Sequence, residues 1–195
     1  MHYCICDKIS KMMDVDINRF MVGGVAADIP QLLGKIKVKS HFIKANDYGL
    51  RYDYYSFLNK YKDKFDDAFF KGYFCHLVSD EVWYRTMVKK YVNPLTCDEE
   101  TRKKYYLDFS KLNEMLIKHF KPEESIHPVN DVKMDEIDTD ALNKMIDRIH
   151  DDFKYDADLS GKPLDIFKFS DVVNYVNESA EISYEKLKSA LGFVK

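Results

Sequence analysis

The sequence predicts an all-α fold, a single-domain bundle of about six or seven helices over residues 1–195 with one long early loop. Three observations predict it. Seven Gly and five Pro in 195 residues leave long stretches without a breaker. Apolar residues recur at three- and four-residue spacing in those stretches. Acidic residues stand ahead of several of them, where a helix N-terminus favours a capping carboxylate. A composition of 46% hydrophobic and 32% charged residues supports one sizeable, water-soluble core.

In chain order, a first helix is expected from about His2 to Met13, with Ile5, Ile9 and Met12 or Met13 as its apolar stripe. Asp14 to Asn18 ends it, and Asp16 or Asn18 caps the next segment. Arg19 to Pro30 reads as an apolar turn of small residues around Gly23-Gly24, closed by the carboxylate of Asp28. It lacks the spacing and the preceding strand of a dinucleotide site. Gln31 to Asn46 reads as irregular or briefly extended. A helix is expected from about Asp53 to Lys64, with Phe57, Leu58 and Tyr61 on one face.

Asp66-Asp67 opens a central helix from Ala68 to about Tyr91, stopped by Asn93-Pro94. Its apolar residues Phe74, Leu77, Val78 and Val82 mark it as buried. A further helix is expected from about Glu99 to Phe120, stopped by Lys121-Pro122. Residues Glu123 to Asp138 read as a polar loop, Thr139 to Phe153 as a helix, and Asp156 to Pro163 as a turn around Gly161. Ser170 to about Leu191 completes the bundle. The 14 Tyr and 13 Phe are core material rather than a base-stacking platform.

Charge and cysteine usage bound the function. A net charge of -3 is too mild, and of the wrong sign, for electrostatic binding to a nucleic-acid duplex. No apolar run is long enough to span a bilayer, and no signal peptide is visible, so a cytoplasmic protein with reduced thiols is expected. Cys4, Cys6, Cys75 and Cys97 form no Cys-x-x-Cys pair and read as structural thiols.

The chemistry gathers on the central helix. His76 and Asp80 lie four positions apart, so imidazole and carboxylate share one helical face and can hold one ion from a rigid rod. Asp28 and His41 lie on segments able to fold over that face. Two nitrogens and two carboxylate oxygens suit zinc or a similar divalent ion. His2 can supply a fifth ligand or part of a second site, and Asp80, with two oxygens, can bridge two ions. Asp28 and Asp80 are also the candidate catalytic carboxylates. Arg19, Lys44 or Arg85 are candidates to contact a phosphate. His119 continues an apolar helical face and reads as a packing residue.

The order Asp28, Ser40-His41-Phe42, His76-x-x-x-Asp80, with His2 ahead, resembles zinc-dependent phospholipase C and the related single-strand-specific zinc nucleases. Asn18-Arg19-Phe20 with Gly23 before Asp28, and Gly72-Tyr73 ahead of His76, are similar to the small cytosolic bacterial branch of that family. The likeness covers the first half of the chain. It implies an all-helical fold in which an Asp, a loop His and a helical His-x-x-x-Asp hold zinc, with the last Asp reaching a neighbouring ion served by an early His. It implies phosphoester hydrolysis of a small phosphorylated substrate, a phosphomonoester or phosphodiester, by a metal-activated water. Secreted members use a processed N-terminal Trp and a third zinc. Here Met1-His2 opens the sequence and Glu81 to Lys118 contains no His, so one or two ions are expected.

Two other readings are weighed beside it. One is a non-catalytic helical protein with a structural metal or a partner-binding role. The other is an HD-type phosphohydrolase built on the contiguous His150-Asp151, with His127 upstream and Asp171 downstream.

Overall fold

The computed structural model describes residues 1–46, 49–94, 96–154 and 161–194. Among these, eight α-helices and one two-stranded hairpin are present: α1 His2–Ser10, α2 Ile17–Ala26, α3 Ile29–Leu32, β1 Ile43–Asn46, β2 Gly49–Tyr52, α4 Tyr54–Tyr61, α5 Ala68–Trp83, α6 Glu99–Phe120, α7 Leu142–Phe153 and α8 Phe169–Val194. The all-α expectation holds, and β1 and β2 pair antiparallel with Ile43 opposite Tyr52.

Local chemistry explains the helix starts. The carboxylate of Asp53 accepts from Ser56 N–H, Asp67 from Phe69 N–H, and Asp98 from Thr101 N–H, so three helices open on acidic caps. Helix α6 ends at Lys121 in the left-handed conformation, just ahead of Pro122. The central helix stops being regular earlier than expected. It passes at Tyr84–Val88 into a π-helical stretch.

The larger difference lies in Arg19 to Pro30, which is not a turn. Most of it is helix α2, with Asp16 accepting from Arg19 N–H as its cap. Glycine here serves packing rather than positive φ. A Cβ on Gly23 would stand 1.9 Å from the Phe69 carbonyl oxygen, and one on Gly72 would stand 2.0 Å from the Phe20 carbonyl oxygen. Helices α2 and α5 therefore cross with their backbones nearly touching, which only glycine permits. The segment Gln31 to Asn46, expected to be irregular or briefly extended, begins with the end of the one-turn helix α3 and closes on strand β1, and α2 and α3 raise the helix count above the six or seven expected. The first helix ends at Ser10 rather than Met13, and the last extends to Val194. Of the turn expected at Asp156 to Pro163, residues 156–160 lie outside the described residues; Gly161 has positive φ, as that turn requires.

Helix α5 is the axis of the fold. Every residue of it except Lys71 and Glu81 is buried, consistent with a helix surrounded on all sides. Helices α1, α2, α4 and α8 pack around it. Aromatic rings fill the space between: Phe57 stacks on Tyr73 at 5.0 Å, and Trp83 lies among Phe109, Phe167 and Tyr175. All four cysteines are free thiols, three of them buried. No helix among the described residues is long and apolar enough to cross a membrane.

Candidate metal centre

Five of the residues singled out from sequence converge on the buried face of α5. His76 and Asp80 come from α5 itself, and His2 from the first turn of α1. Asp28 stands between α2 and α3, and its carboxylate makes no cap hydrogen bond, which leaves it free for the cluster. His41 sits in the tight turn before β1, where Phe42 takes the left-handed conformation at φ 50°. That conformation costs about 1 kcal/mol or more in a non-glycine residue. The Tyr73 hydroxyl on α5 anchors the turn by donating to the Ser40 carbonyl at 2.7 Å.

The inward-facing atoms lie at short, similar separations. His41 Nε2 is 3.2 Å from His76 Nε2, 3.2 Å from Asp80 Oδ2 and 3.3 Å from Asp28 Oδ1. His76 Nε2 is 3.7 Å from Asp80 Oδ2. Bonds of about 2.0–2.1 Å at the tetrahedral angle set neighbouring donors about 3.3 Å apart. His41, His76 and Asp80 therefore stand near the spacing of zinc ligands, and Asp28 approaches the set through His41. On its other oxygen, Asp80 Oδ1 faces His2 Nε2 at 3.2 Å.

The outer nitrogens decide which way each imidazole presents its lone pair. His76 Nδ1 lies 2.8 Å from the Gly24 carbonyl oxygen, which can only accept, so Nδ1 carries the hydrogen. His41 Nδ1 meets Ser40 Oγ at 2.9 Å, and that hydroxyl spends its own hydrogen on the Lys37 carbonyl. His2 Nδ1 meets Ser79 Oγ at 3.0 Å, and Ser79 donates to the His76 carbonyl. Each serine must then accept from its histidine. All three rings thus donate outward through Nδ1 and turn Nε2 into the cluster, the outer-shell arrangement of ligating histidines.

Protonation follows the same geometry. Burial pushes His76 down to about 3, so its ring is neutral. Burial would lower His41 too, but hydrogen bonds to Asp28 and Asp80 raise it above its ordinary value. For Asp80 burial acts upward, yet Lys37, His2 and His41 together hold its carboxyl well below the usual carboxylate range. Asp28 is lowered as well, by His76 and Lys37 against its burial. Both carboxylates are charged at neutral pH. Even so, the buried Asp80 Oδ2 has no hydrogen-bond partner except His41 Nε2 at 3.2 Å, and that only when this nitrogen carries a proton. An unpaired buried anionic oxygen costs roughly 1–3 kcal/mol or more, and beside two imidazole nitrogens it is the donor a cation would satisfy. The donors fall into two groups of three that could each hold a divalent ion of the zinc type, His41, His76 and Asp80, and His2, Asp28 and His76, with His76 common to both.

Sequence reasoning missed several supporting groups. Ser40, Ser79 and the Gly24 carbonyl orient the rings, and Lys37 approaches Asp28 Oδ1 at 3.8 Å. Ser40 and Ser79 each lie close to a ligand in sequence, which was the available signal. The Gly24 carbonyl and Lys37 had none, because only the α2–α5 crossing and the loop turn bring them in.

The phosphate candidates are not brought to the cluster. Arg19 forks onto Asp67 through Nε at 2.8 Å and reaches Asp131 at 2.7 Å. Asp67 caps α5 nine residues before His76, about 13 Å away along the helix. Lys44 is spent on Asp53 at 2.6 Å and on Ser56, and Arg85 pairs with Glu81. The HD-type residues also stay apart. His150 pairs with Glu124, Asp151 with Lys154, and Asp171 with Lys90 and Tyr91, while His127 meets Asn18 through its backbone. His119, expected to pack, is exposed, with its ring edge against Phe120 and Phe169.

Comparison with protein-family models, with curated proteins and with solved structures returned no match for this chain. The functional reading therefore rests on the cluster itself.

Proposed function

We propose that this protein is a zinc-dependent phosphoesterase of the phospholipase C-like class, acting on a small phosphomonoester or phosphodiester. The observation that carries the reading is the buried Asp80 Oδ2, which faces His41 Nε2 at 3.2 Å and His76 Nε2 at 3.7 Å, with both rings anchored outward through Nδ1. A zinc ion held among His41, His76, Asp28 and Asp80 would supply Lewis acidity toward a water and toward phosphoryl oxygens.

The chain's own residues do the rest. The serine and carbonyl partners hold the three rings in one tautomer, so binding needs no reorientation. His41 and His76 are buried, whereas the Asp28 side chain is 31% exposed and that of His2 16% exposed. Substrate reaches the centre from that rim. Asp28, the more exposed of the two carboxylates, would be the holder that meets an entering water or substrate, while buried Asp80 would stay a holder. His2, across from Asp80 Oδ1, is the group available to a second ion.

The test is metal analysis of the purified protein followed by hydrolysis of an activated aryl phosphodiester and an aryl phosphomonoester, with and without chelator. Zinc near one or two equivalents, with activity lost on chelation and restored by zinc, supports the reading. A metal-free protein whose His76→Ala variant matches wild type in stability and activity removes it.

A second reading has its own supporting observation. If Asp28 joins His41, His76 and Asp80 on one ion, four protein donors would close the site, and closed four-ligand zinc sites are structural. Tight zinc binding without hydrolysis of either ester, and unfolding on chelation, would favour that reading.

A further inference from the structure

The loop ahead of His41 runs Lys35-Ile36-Lys37-Val38-Lys39. Ile36 is 87% exposed and Val38 51% exposed, and Lys35 and Lys39 are exposed as well. Lys37 alone among these five turns inward. Lys39 by contrast reaches the Asp135 carbonyl. The backbone of Lys37 is fixed by the same turn that presents His41, since its carbonyl accepts from His41 N–H at 2.9 Å and from Ser40 Oγ at 3.1 Å.

The ammonium has charge in place but hydrogens to spare. Its nearest partner among the described residues is Asp28 Oδ1 at 3.8 Å, beyond hydrogen-bond reach. Its side chain is 38% exposed, and that of the neighbouring Asp28 31%. Two carboxylates and one divalent ion would leave the centre neutral. Lys37 makes it a single positive charge, located at the rim where a ligand enters.

We infer that Lys37 is the anion-binding residue of the centre, holding a phosphate oxygen at the rim beside Asp28. The inference rests on the phosphoesterase reading and supplies the cation that Arg19 and Lys44 do not. Lysine suits this task as a compact, freely rotating point charge with three donors.

The experiment uses zinc-loaded wild type, Lys37→Gln and Lys37→Arg. Three quantities are measured: zinc affinity and stoichiometry, binding of inorganic phosphate by calorimetry, and KM and kcat on the aryl phosphoesters. The expected result is unchanged zinc stoichiometry in all three, phosphate affinity weakened about tenfold or more in Lys37→Gln, and recovery to near wild type in Lys37→Arg. In hydrolysis the loss should fall mainly on KM. Equal phosphate binding by wild type and Lys37→Gln overturns the inference and leaves the proposed function standing. Loss of zinc from Lys37→Gln also overturns it, because Lys37 would then be a counter-ion for the ligands. Zinc-loaded wild type that neither binds phosphate nor hydrolyses either ester removes the phosphoesterase reading itself, and the inference with it.

Discussion

His41 Nε2 and His76 Nε2 face each other at 3.2 Å in the buried interior. Each ring already donates through Nδ1, so two neutral rings would press lone pair against lone pair. Without an ion, one ring must carry a second hydrogen. It is His41, because His76 is held neutral by burial while Asp28 and Asp80 favour the charged form of His41. A metal ion and that proton compete for the same place.

This competition sets a pH dependence. His41 is raised above its ordinary value, so below its raised pKa the metal-free protein holds the proton, and zinc must displace it. Zinc affinity should fall about tenfold per pH unit on the acid side and level off on the alkaline side. Calorimetry in buffers of different ionisation enthalpy should record about one proton released per zinc near neutrality. No release, with affinity flat down to acid pH, would contradict the assignment of the proton to His41.

Asp80→Asn removes the charge that touches both sides of the cluster while keeping the side chain's size. Zinc at a hundredfold excess over Kd should stabilise wild type by about 2.7 kcal/mol, and that gain should vanish in the variant. The metal-free melting temperature should fall as well, because the charge that Lys37, His2 and His41 hold in place is lost. Thermal melts with and without zinc report both effects. An undiminished zinc shift in Asp80→Asn would take Asp80 out of the ligand set.

Gly72→Ala forces a methyl group to within 2.0 Å of the Phe20 carbonyl, so α2 and α5 must separate. The expected cost is about 1–3 kcal/mol or more in chemical denaturation. The same separation withdraws the Gly24 carbonyl from His76 Nδ1, so zinc affinity should fall with stability. Alanine at Gly34, where no atom stands within 4 Å of the added methyl, meets no such clash and is strained only by its φ of +68°. That variant should leave zinc affinity unchanged.

Asp53 caps α4 and pairs with Lys44, and although burial acts upward, the Lys44 and Ser56 contacts bring it down to about 2. Its stabilisation is present above the ordinary carboxylate pKa and is lost as pH falls through about 2. Asp53→Ala should therefore cost about 1 kcal/mol at neutral pH. Between about pH 4 and pH 2 the two proteins should converge in urea denaturation. A constant difference across that range would mean the cap is worth little through its charge.

Much of the architecture was legible in the linear chain because helix signals are local. The carboxylates of Asp67 and Asp98, the stop at Lys121-Pro122 and the apolar run through α5 act over a few residues, and each places an element where it was expected. Helix α2 does not show in the sequence, for a physical reason. Gly23 and Gly24 carry a turn signal in isolation, and their helical role exists only because α5 lies against them.

The candidate ligands divide in the same way. His76-x-x-x-Asp80 is a property of one helix, so sequence alone determines that these two groups share a face. That His2, Asp28 and His41 join them depends on three separate elements docking on α5, an outcome of packing across 77 residues of chain in the case of His2 and Ser79. Sequence also marked Arg19 and Lys44 as available cations. Tertiary structure assigned them to Asp67 and Asp53 and turned Lys37 inward instead. A charge is committed by whichever partner the fold brings within a few ångströms, and sequence carries no record of that distance.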